Sequence, residues 1–249
     1  MSTLLGQAVE INRTVHPVLN PAISIVVTID GPAGTGKSTV ARELASRLGL
    51  QFLDTGAMYR AATAIMLDYN LGLDDPARIV ETVKSADLHF DWTADPPTIL
   101  AWLNPIDARI RQQDVSTRVS LVSRIPLLRE HMVRKQRIIF SQHPRLVTEG
   151  RDQGSVAFPD APVKFYLDAE PQVRAQRRAA QLLEEQGVTV DLGRMMSEIA
   201  ERDRLDMTRE DGPLVCPDDA VRINTTLLTL HEVADLLESI VRVRVGAST

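Results

Sequence analysis

Cysteine is almost absent from this sequence: its 249 residues include one, Cys216. A single thiol cannot form a disulfide within the chain, and a zinc site needs several cysteine or histidine ligands at short spacing. The five histidines are scattered without such spacing. The sequence therefore contains no disulfide framework and no zinc motif, and we interpret Cys216 as an inert thiol.

Long apolar runs and a positive net charge are also lacking. No stretch reaches the roughly 18 apolar residues of a transmembrane helix, and residues 1–21 carry polar and charged side chains where a signal peptide is continuously apolar. The net charge of −5 argues against a broad nucleic-acid surface. We expect a cytoplasmic monomer that acts on small molecules and binds neither membranes nor nucleic-acid polymers.

The sequence does contain an alternation of short apolar strands with amphipathic helices. Residues 22–30 form a β-branched run typical of a buried parallel strand. In the helix predicted next, residues 37–48, apolar side chains recur at every fourth position and Gly49 follows. Further strands are expected at residues 51–54, 145–150, 163–168 and 219–226, and further helices at residues 56–69, 170–186, 192–208 and 230–245.

Strand–helix alternation predicts an α/β fold of three layers, a mainly parallel sheet with helices on both faces. Residues 88–93 and 98–104 are expected to add a locally antiparallel insert. No linker rich in proline, glycine or serine divides the chain. We therefore expect a single domain over residues 22–249, preceded by an N-terminal extension over residues 1–21.

A glycine-rich segment between the first strand and the first helix carries the strongest functional signal. Residues 31–38, GPAGTGKS, fit the phosphate-loop pattern of glycine, four residues, glycine, lysine and serine or threonine. Such a loop turns its backbone N–H groups toward phosphates at the positive end of the following helix. The predicted donor-nucleotide site consists of Gly31, Pro32, Ala33, Gly34, Thr35, Gly36, Lys37, Ser38 and Thr39.

Two of these side chains have distinct expected roles. Lys37 should reach the β- and γ-phosphates, and the Ser38 hydroxyl should bind Mg²⁺. GTPases, motor ATPases and regulatory ATPases use the same loop, so it predicts phosphate binding without fixing the reaction.

Arginines follow the predicted strands at the edge where parallel sheets bind ligands. Arg60 lies in the helix after the second strand, and Arg151 and Asp152 follow the strand at residues 145–150. A guanidinium suits bidentate phosphate binding, and a carboxylate can accept from a base amino group. Three more charged residues are spaced by four and three, which predicts one helical face: Arg202, Asp206 and Arg209.

Six segments in this order resemble the bacterial cytidylate kinase family over roughly residues 24–240. They are DGPAGTGKST, LDTGAMYR, GRDQGSVAFPDAPVKFYLDA, RAQRR, ERDRLDMTR and the PL…DA…NTT ending. The resemblance implies a P-loop kinase fold and transfer of a phosphoryl group from ATP to CMP or dCMP with Mg²⁺. It also implies an acceptor-binding insert over about residues 62–125 and a short lid over about residues 174–195.

The resemblance further implies a role for each matching residue. The nucleobase would contact Ser120, Arg129 and Asp152, with Thr55 nearby, and the sugar would contact Arg202 and Asp206. The acceptor phosphate would be clamped by Arg60, Arg151 and Arg209. Of the lid arginines 174, 177 and 178, Arg177 is the first choice for contacting the ATP phosphates. The expected catalytic set is Lys37, Arg151, Arg177 and Arg209.

Three polar residues leave alternatives open. Gln153 stands where the family usually has an apolar residue, and it either shifts pyrimidine preference or is simply solvated. Asn224 stands where an aspartate is common. Asp168 either helps to organise magnesium or, as we favour, caps the following helix.

Two rival functions also remain open at this stage. One is a kinase for another small acceptor, such as UMP, AMP or shikimate, since these kinases share the loop and the sheet. A nucleotide-sensing module without catalysis is the rival from another class. Against a GTPase switch, the sequence has no Asn-Lys-x-Asp guanine signature.

Overall fold

A computed structural model describes residues 19–246, with the side chain of Gln186 left out. All but the last three residues of the predicted N-terminal extension, residues 1–21, lie outside the described residues. Within the described part, no helix combines the length and apolar character needed to cross a membrane.

A five-stranded sheet, parallel throughout, forms the centre of the fold. Its strands, in spatial order, are β2 (Gln51–Asp54), β6 (Arg145–Gly150), β1 (Ile25–Asp30), β7 (Val163–Asp168) and β8 (Val221–Asn224). Asp30 is paired in register with Gly150 on one side and Tyr166 on the other. The carboxyl ends of the three central strands therefore meet at one edge, directly beside the phosphate loop.

Nine α-helices are described, together with one π-helical segment at Gln153–Ala157. They are α1 (Lys37–Leu48), α2 (Thr55–Asp68), α3 (Pro76–Ser85), α4 (Asp107–Ile110), α5 (Gln113–Val122), α6 (Pro126–Gln142), α7 (Pro171–Gln186), α8 (Leu192–Thr208) and α9 (Leu230–Gly246). Gly49 ends α1 in a left-handed conformation, as its position predicts. Asp54 caps α2 by accepting a hydrogen bond from the amide of Ala57 at 2.9 Å.

The strand β1 contributes side chains to a separate hydrophobic core on each face of the sheet. Val27 and Ile29 pack with α1 and α9 on one face. Val26 packs on the other face with α2, α3 and α6. Because successive strand residues point to opposite faces, an all-apolar strand requires two covering layers. The predicted three-layer α/β fold is confirmed.

The segment between α3 and α4 forms a small antiparallel sheet, as predicted. Its strands are β3 (His89–Asp91), β4 (Thr98–Ala101) and β5 (Asn104–Pro105). On the other side of the phosphate loop, α7 and α8 pack around Ala33 through Ala175, Met195 and Ile199. The insert and lid boundaries inferred from the sequence stay predictions.

The bounds predicted for α8, residues 192–208, are confirmed, but the helical face expected to include Arg209 is wrong. Arg209 was placed on a shared helical face with Arg202 and Asp206, but α8 ends at Thr208 and Arg209 has extended backbone angles. The chain turns there because the Arg209 guanidinium donates to the carbonyl of Gly212 and the Leu214 amide donates to the carbonyl of Asp206. The turn nevertheless keeps the Arg209 side chain beside Asp206.

Candidate active site

The phosphate loop is held by contacts of its own side chains and of neighbouring helices. Gly36 precedes α1 with φ of 89°, a conformation that residues with a Cβ rarely adopt. The Lys37 ammonium donates to the carbonyl of Pro32 at 2.7 Å, and the Ala33 amide donates to Asp203 of α8 at 3.0 Å. Sequence reasoning missed Asp203, which anchors the loop to α8.

The Lys37 ammonium lies in a strongly positive environment. It is 5% exposed. Burial, together with the nearby Arg151 and Arg202, lowers the pKa of Lys37 to about 7. A buried cation crowded by other cations is stabilised when an anion binds, so the loop suits phosphate.

Ser38 lies beside a pair of carboxyl groups. Its hydroxyl donates to Glu149 Oε1 at 2.7 Å, and Glu149, one residue before the end of β6, is paired in register with Asp54 at the end of β2. Burial, and then the neighbouring Glu149 carboxylate, raise the pKa of Asp54 to about 7. Neither carboxyl group was assigned from the sequence, although both follow parallel strands at the same edge as Arg151.

These oxygen donors fit Mg²⁺, which prefers hard oxygen ligands and retains several waters. The described residues hold no cluster of three or more histidine, cysteine or acidic side chains arranged for a metal. A magnesium ion here would therefore depend on a serine hydroxyl, a nearby carboxylate, phosphate oxygens and water.

Arg60, Arg151 and Arg202 converge between β6 and α8. Arg151 Nε donates to Asp206 Oδ2 at 2.8 Å, and Arg60 Nη1 donates to Ser116 Oγ at 2.9 Å. Burial by itself would raise the pKa of Asp206, but the positive charges of Arg151, Arg202 and Arg209 outweigh it and lower this pKa. The carboxylate is thus ionised within the cluster.

Arg202 has the least compensated charge of this cluster. Its Nε is buried and has no hydrogen-bond partner among residues 19–246. Burial, followed by repulsion from Arg151 and Arg60, lowers the pKa of Arg202 to about 9. A buried donor without a partner is costly, so this position favours an anionic ligand.

Arg129 of α6 and Asp152 form an ion pair with both side chains 4% exposed. Arg129 also lies over the ring of Tyr59, 5.5 Å from its centroid, and donates to the carbonyl of Ser123 at 3.2 Å. Arg209 Nη2 is 3.8 Å from Asp152 Oδ1. The structure thus brings Arg129, Asp152 and Arg209 together, and the acceptor-binding roles expected for them stay predictions.

Thr55 and Ser120 take different positions around this pair. Thr55 is buried and donates through Oγ1 to the carbonyl of Glu149 at 2.7 Å. Ser120 is half-buried on α5, and its carbonyl accepts from the hydroxyl of Ser123 at 3.1 Å. No hydrogen bond links the Ser120 side chain to Arg129 or Asp152 in the described residues, so its nucleobase role stays a prediction.

The lid arginines 174 and 177 have different partners in this structure. Arg177 donates to Thr225 Oγ1 at 2.9 Å and to the carbonyls of Thr225 and Leu228 at 2.7 and 3.2 Å. These contacts hold Arg177 on the loop after β8. Arg174 is buried against Asp203 and donates to the carbonyl of Ala33 at 3.1 Å.

Arg178 is the lid arginine whose charge acts on the cleft. Burial, and next Arg178, lower the pKa of Arg60, and Arg178 also contributes to the lowered pKa of Arg202. Both target arginines belong to the acceptor side. Arg178 is thus close enough to the cluster for its charge to act there, while its guanidinium donates to Gln181 Oε1 at 2.7 Å.

Three open questions about polar residues receive answers. Gln153 is 1% exposed and accepts from Thr148 Oγ1 at 2.9 Å, so the view that it is simply solvated is wrong. Asn224 accepts from the amide of Thr226 at 2.9 Å. Asp168 pairs with Arg222 at 2.6 Å and makes no cap on α7, so our preferred interpretation of Asp168 is also wrong.

Comparison with known proteins agrees with this geometry. A family model described as cytidylate kinase matches residues 27–243. A cytidylate kinase of Caldanaerobacter subterraneus subsp. tengcongensis is 41% identical over 220 residues, which cover 88% of this chain and 96% of that protein. A cytidylate kinase of Rhodococcus jostii is 43% identical over 225 residues, covering 90% of this chain and 97% of that protein.

Proposed function

The chain belongs to the cytidylate kinase family, and we propose that it transfers the γ-phosphoryl group of ATP to CMP or dCMP, giving ADP and CDP or dCDP. The observation that supports this most strongly is the meeting of two cation sets at one sheet edge. Lys37 lies on the donor side, and Arg202, whose buried Nε has no hydrogen-bond partner among the described residues, lies near Arg60 and Arg151 on the acceptor side. A site for a single phosphate group would not require both sets of cations, whereas a site for two nucleotides would.

On the donor side, residues 31–39 hold the ATP phosphates. The loop's backbone amides and the N-terminus of α1 supply donors and a positive field. Lys37 exchanges its bond to the Pro32 carbonyl for phosphate oxygens when ATP binds. This exchange replaces a neutral acceptor with a charged one, which strengthens the hydrogen bond.

A bound Mg²⁺ would supply positive charge that offsets the negative charge developing on the phosphates during transfer. Ser38 would hold it through its hydroxyl, with Glu149 and Asp54 orienting the surrounding water. The Ser38–Glu149 hydrogen bond of 2.7 Å supports this assignment, because it holds the serine hydroxyl next to the carboxyl pair.

On the acceptor side, Arg60, Arg151 and Arg209 clamp the phosphate of CMP. Asp206 and Arg202 hold the sugar, and the charge of Arg202 also acts on the phosphate because Arg60 and Arg151 lie beside it. Asp206 is ionised and thus suited to accept from a sugar hydroxyl. The insert over residues 62–125 would close over this nucleotide.

Cytosine recognition falls to Asp152, Arg129 and Ser120. The Asp152 carboxylate accepts from the exocyclic amino group, and Arg129 donates to the base while keeping Asp152 in place. Uracil carries a carbonyl oxygen where cytosine carries that amino group. It would face a carboxylate that can only accept, and such unpaired buried groups give strong discrimination.

The transfer itself needs little proton chemistry from the protein. An oxygen of the CMP phosphate attacks the γ-phosphorus, the bond to the β-phosphate oxygen breaks, and ADP leaves with the electron pair. The attacking oxygen is already ionised near neutral pH, so no strong general base is required. Lys37, Arg151 and Arg209 orient the phosphates and stabilise the charge.

Closure of the lid would exclude water from the transfer. We propose that Arg178 supplies the lid cation over the phosphates. Arg177 instead fixes the loop at residues 225–228, next to the phosphate loop, through three hydrogen bonds. Its expected contact with ATP stays a prediction.

A panel of acceptors tests the proposed reaction. ADP release from ATP would be followed with CMP, dCMP, UMP, AMP and shikimate, each across a range of concentrations. CMP or dCMP is expected to give the highest kcat/KM. A higher kcat/KM for any other acceptor would overturn the cytidylate assignment while leaving phosphoryl transfer intact.

A further inference from the structure

Asp30 connects the two halves of the site at its most buried point. It is the last residue of β1, directly before Gly31, and is 1% exposed. Its Oδ1 accepts from the amide of Gln153 at 2.9 Å, and its Oδ2 accepts from the amide of Gly154 at 2.7 Å. One carboxylate thus spans the start of the phosphate loop and the turn that follows Arg151 and Asp152.

The π-helical segment Gln153–Ala157 depends on this carboxylate at its N-terminus. The residue in the capping position, Asp152, makes no side-chain cap and pairs with Arg129 instead. Asp30 supplies the missing acceptors from a neighbouring strand. Hydrogen bonds from amides to a carboxylate are roughly twice as strong as neutral ones.

We propose that Asp30 is a positioning residue that fixes residues 151–154, and with them Arg151 and Asp152, against the start of the phosphate loop. The inference rests on the proposed function, because Arg151 and Asp152 are the acceptor-reading residues of that proposal. Asp30 itself contacts neither nucleotide in this account. It acts by keeping the acceptor at a fixed distance and angle from the γ-phosphate.

The acceptor side depends on Asp30 more than the donor side does. The phosphate loop has other anchors: the Pro32 carbonyl accepts from Lys37 at 2.7 Å, and the Ala33 amide donates to Asp203 at 3.0 Å. The amides of Gln153 and Gly154 have Asp30 as their acceptor. Loss of the carboxylate should therefore move residues 151–154 and leave the loop in place.

Ionisation of Asp30 makes this connection sensitive to pH. Burial raises the pKa of Asp30 to about 7, the two amides oppose the shift, and among nearby charges Asp152 raises the pKa while Lys37 lowers it. The Cys216 thiol is also close enough to Asp30 to interact with its charge. The Lys164 side chain lies near Gly154, and its ammonium forms an ion pair with Asp219 at 2.7 Å. A protonated carboxyl group carries hydrogen on one oxygen and loses one of its two acceptors.

Asp30→Asn removes the charge and one acceptor at nearly constant volume. Thr28→Val is the matched control: Thr28 lies two residues earlier on β1, is fully buried beside Gly154, and its Oγ1 has no hydrogen-bond partner among the described residues. Both variants and the wild-type chain would be assayed for kcat and for KM of CMP and of ATP. CMP binding would be measured by calorimetry.

For Asp30→Asn near pH 8 we expect kcat/KM for CMP to fall by about tenfold to a hundredfold, since small displacements of reacting groups have such effects. CMP affinity should fall with it, and KM for ATP should change little. Thr28→Val should match the wild type. A fall of equal size in ATP and CMP affinity, or no fall, contradicts the positioning role.

The pH profile separates positioning from a merely structural effect. As pH falls through about 7, Asp30 of the wild type becomes protonated. The ratio of the wild-type kcat/KM for CMP to that of Asp30→Asn should therefore fall toward one at about pH 6. Ionisation of the CMP phosphate, with a pKa near 6, affects both proteins alike and cancels in the ratio. A ratio that stays constant from pH 6 to 8 overturns the inference.

Two further results keep this inference separate from the proposed function. If the wild type phosphorylates CMP and Asp30→Asn has the same kcat/KM for CMP, the Asp30 inference fails and the proposed function stands. If the wild type neither binds nor phosphorylates CMP, the proposed function fails.

If Asp30→Asn does not fold, hydrogen exchange measured on the wild type tests the inference instead. Protection at residues 151–157, corrected for intrinsic rates, should decrease below about pH 7, and constant protection contradicts the inference.

Discussion

The guanidinium of Arg129 and the carboxylate of Asp152 form a buried ion pair directly beneath the backbone of Gly212. A Cβ placed on Gly212 would meet atoms of both side chains, and its φ is 57°. Arg209 donates to the Gly212 carbonyl at 2.5 Å, which fixes the turn over the pair. The loop after α8 therefore closes the proposed cytosine site only because residue 212 has no side chain.

Gly212→Ala should weaken CMP recognition by pushing the loop away from Arg129 and Asp152. Gly187→Ala is a matched control, because Gly187 has a similar φ of 67° and open space around it. The backbone strain is thus similar and only the crowding differs. Steady-state assays should show a clear rise in KM for CMP in Gly212→Ala alone, and equal effects of both substitutions would contradict this view of the loop.

Asp152→Asn should shift base preference from cytosine toward uracil. An amide can donate a hydrogen bond to the uracil carbonyl, whereas the carboxylate can only accept. The ratio of kcat/KM for CMP to that for UMP is expected to fall by about tenfold or more, which corresponds to about 1.4 kcal/mol. Asp168→Asn is the control, because Asp168 pairs with Arg222 rather than with Arg129, and it should leave the ratio unchanged. An unaltered ratio in Asp152→Asn would remove Asp152 from base recognition.

The two neighbouring lid arginines should differ in the step that they affect. Arg178→Ala removes a charge facing Arg60 and Arg202, so kcat is expected to fall by about a hundredfold, the usual effect of losing a charge-stabilising donor. Arg177→Ala releases the loop at residues 225–228 and should mainly raise KM for ATP. Single-turnover and steady-state kinetics distinguish these effects, and the reverse pattern would restore Arg177 as the catalytic lid residue.

Glu149→Gln should increase the magnesium concentration needed for half-maximal rate by severalfold. The substitution keeps an acceptor for the Ser38 hydroxyl but removes the negative charge beside it. Mn²⁺ binding in the presence of ATP, followed by its paramagnetic resonance signal, gives a readout independent of turnover. Glu130→Gln, on the exposed face of α6, is the control. Equal metal affinity in all three proteins would exclude Glu149 from the metal site.

Much of the fold could be predicted because local pattern and tertiary structure agree. The apolar spacing of α1 and the glycine after Leu48 define that helix, and the bounds observed at residues 37–48 are those predicted. Gln153 could not be placed, since its burial depends on its contacts with Thr148 of β6 and Asp30 of β1. Identical residue types at positions 177 and 178 likewise give no signal, because only helix orientation decides which one faces the cleft.

Transfer of the γ-phosphoryl group itself is the most direct test of this account. ATP labelled at the γ-phosphate would be incubated with CMP and the wild-type chain, with Lys37→Ala as the negative control, and the products separated. The account predicts label in CDP at one equivalent per ADP formed, dependent on CMP and lost in Lys37→Ala. ADP formed at the same rate without CMP, with the label released as inorganic phosphate, would contradict it.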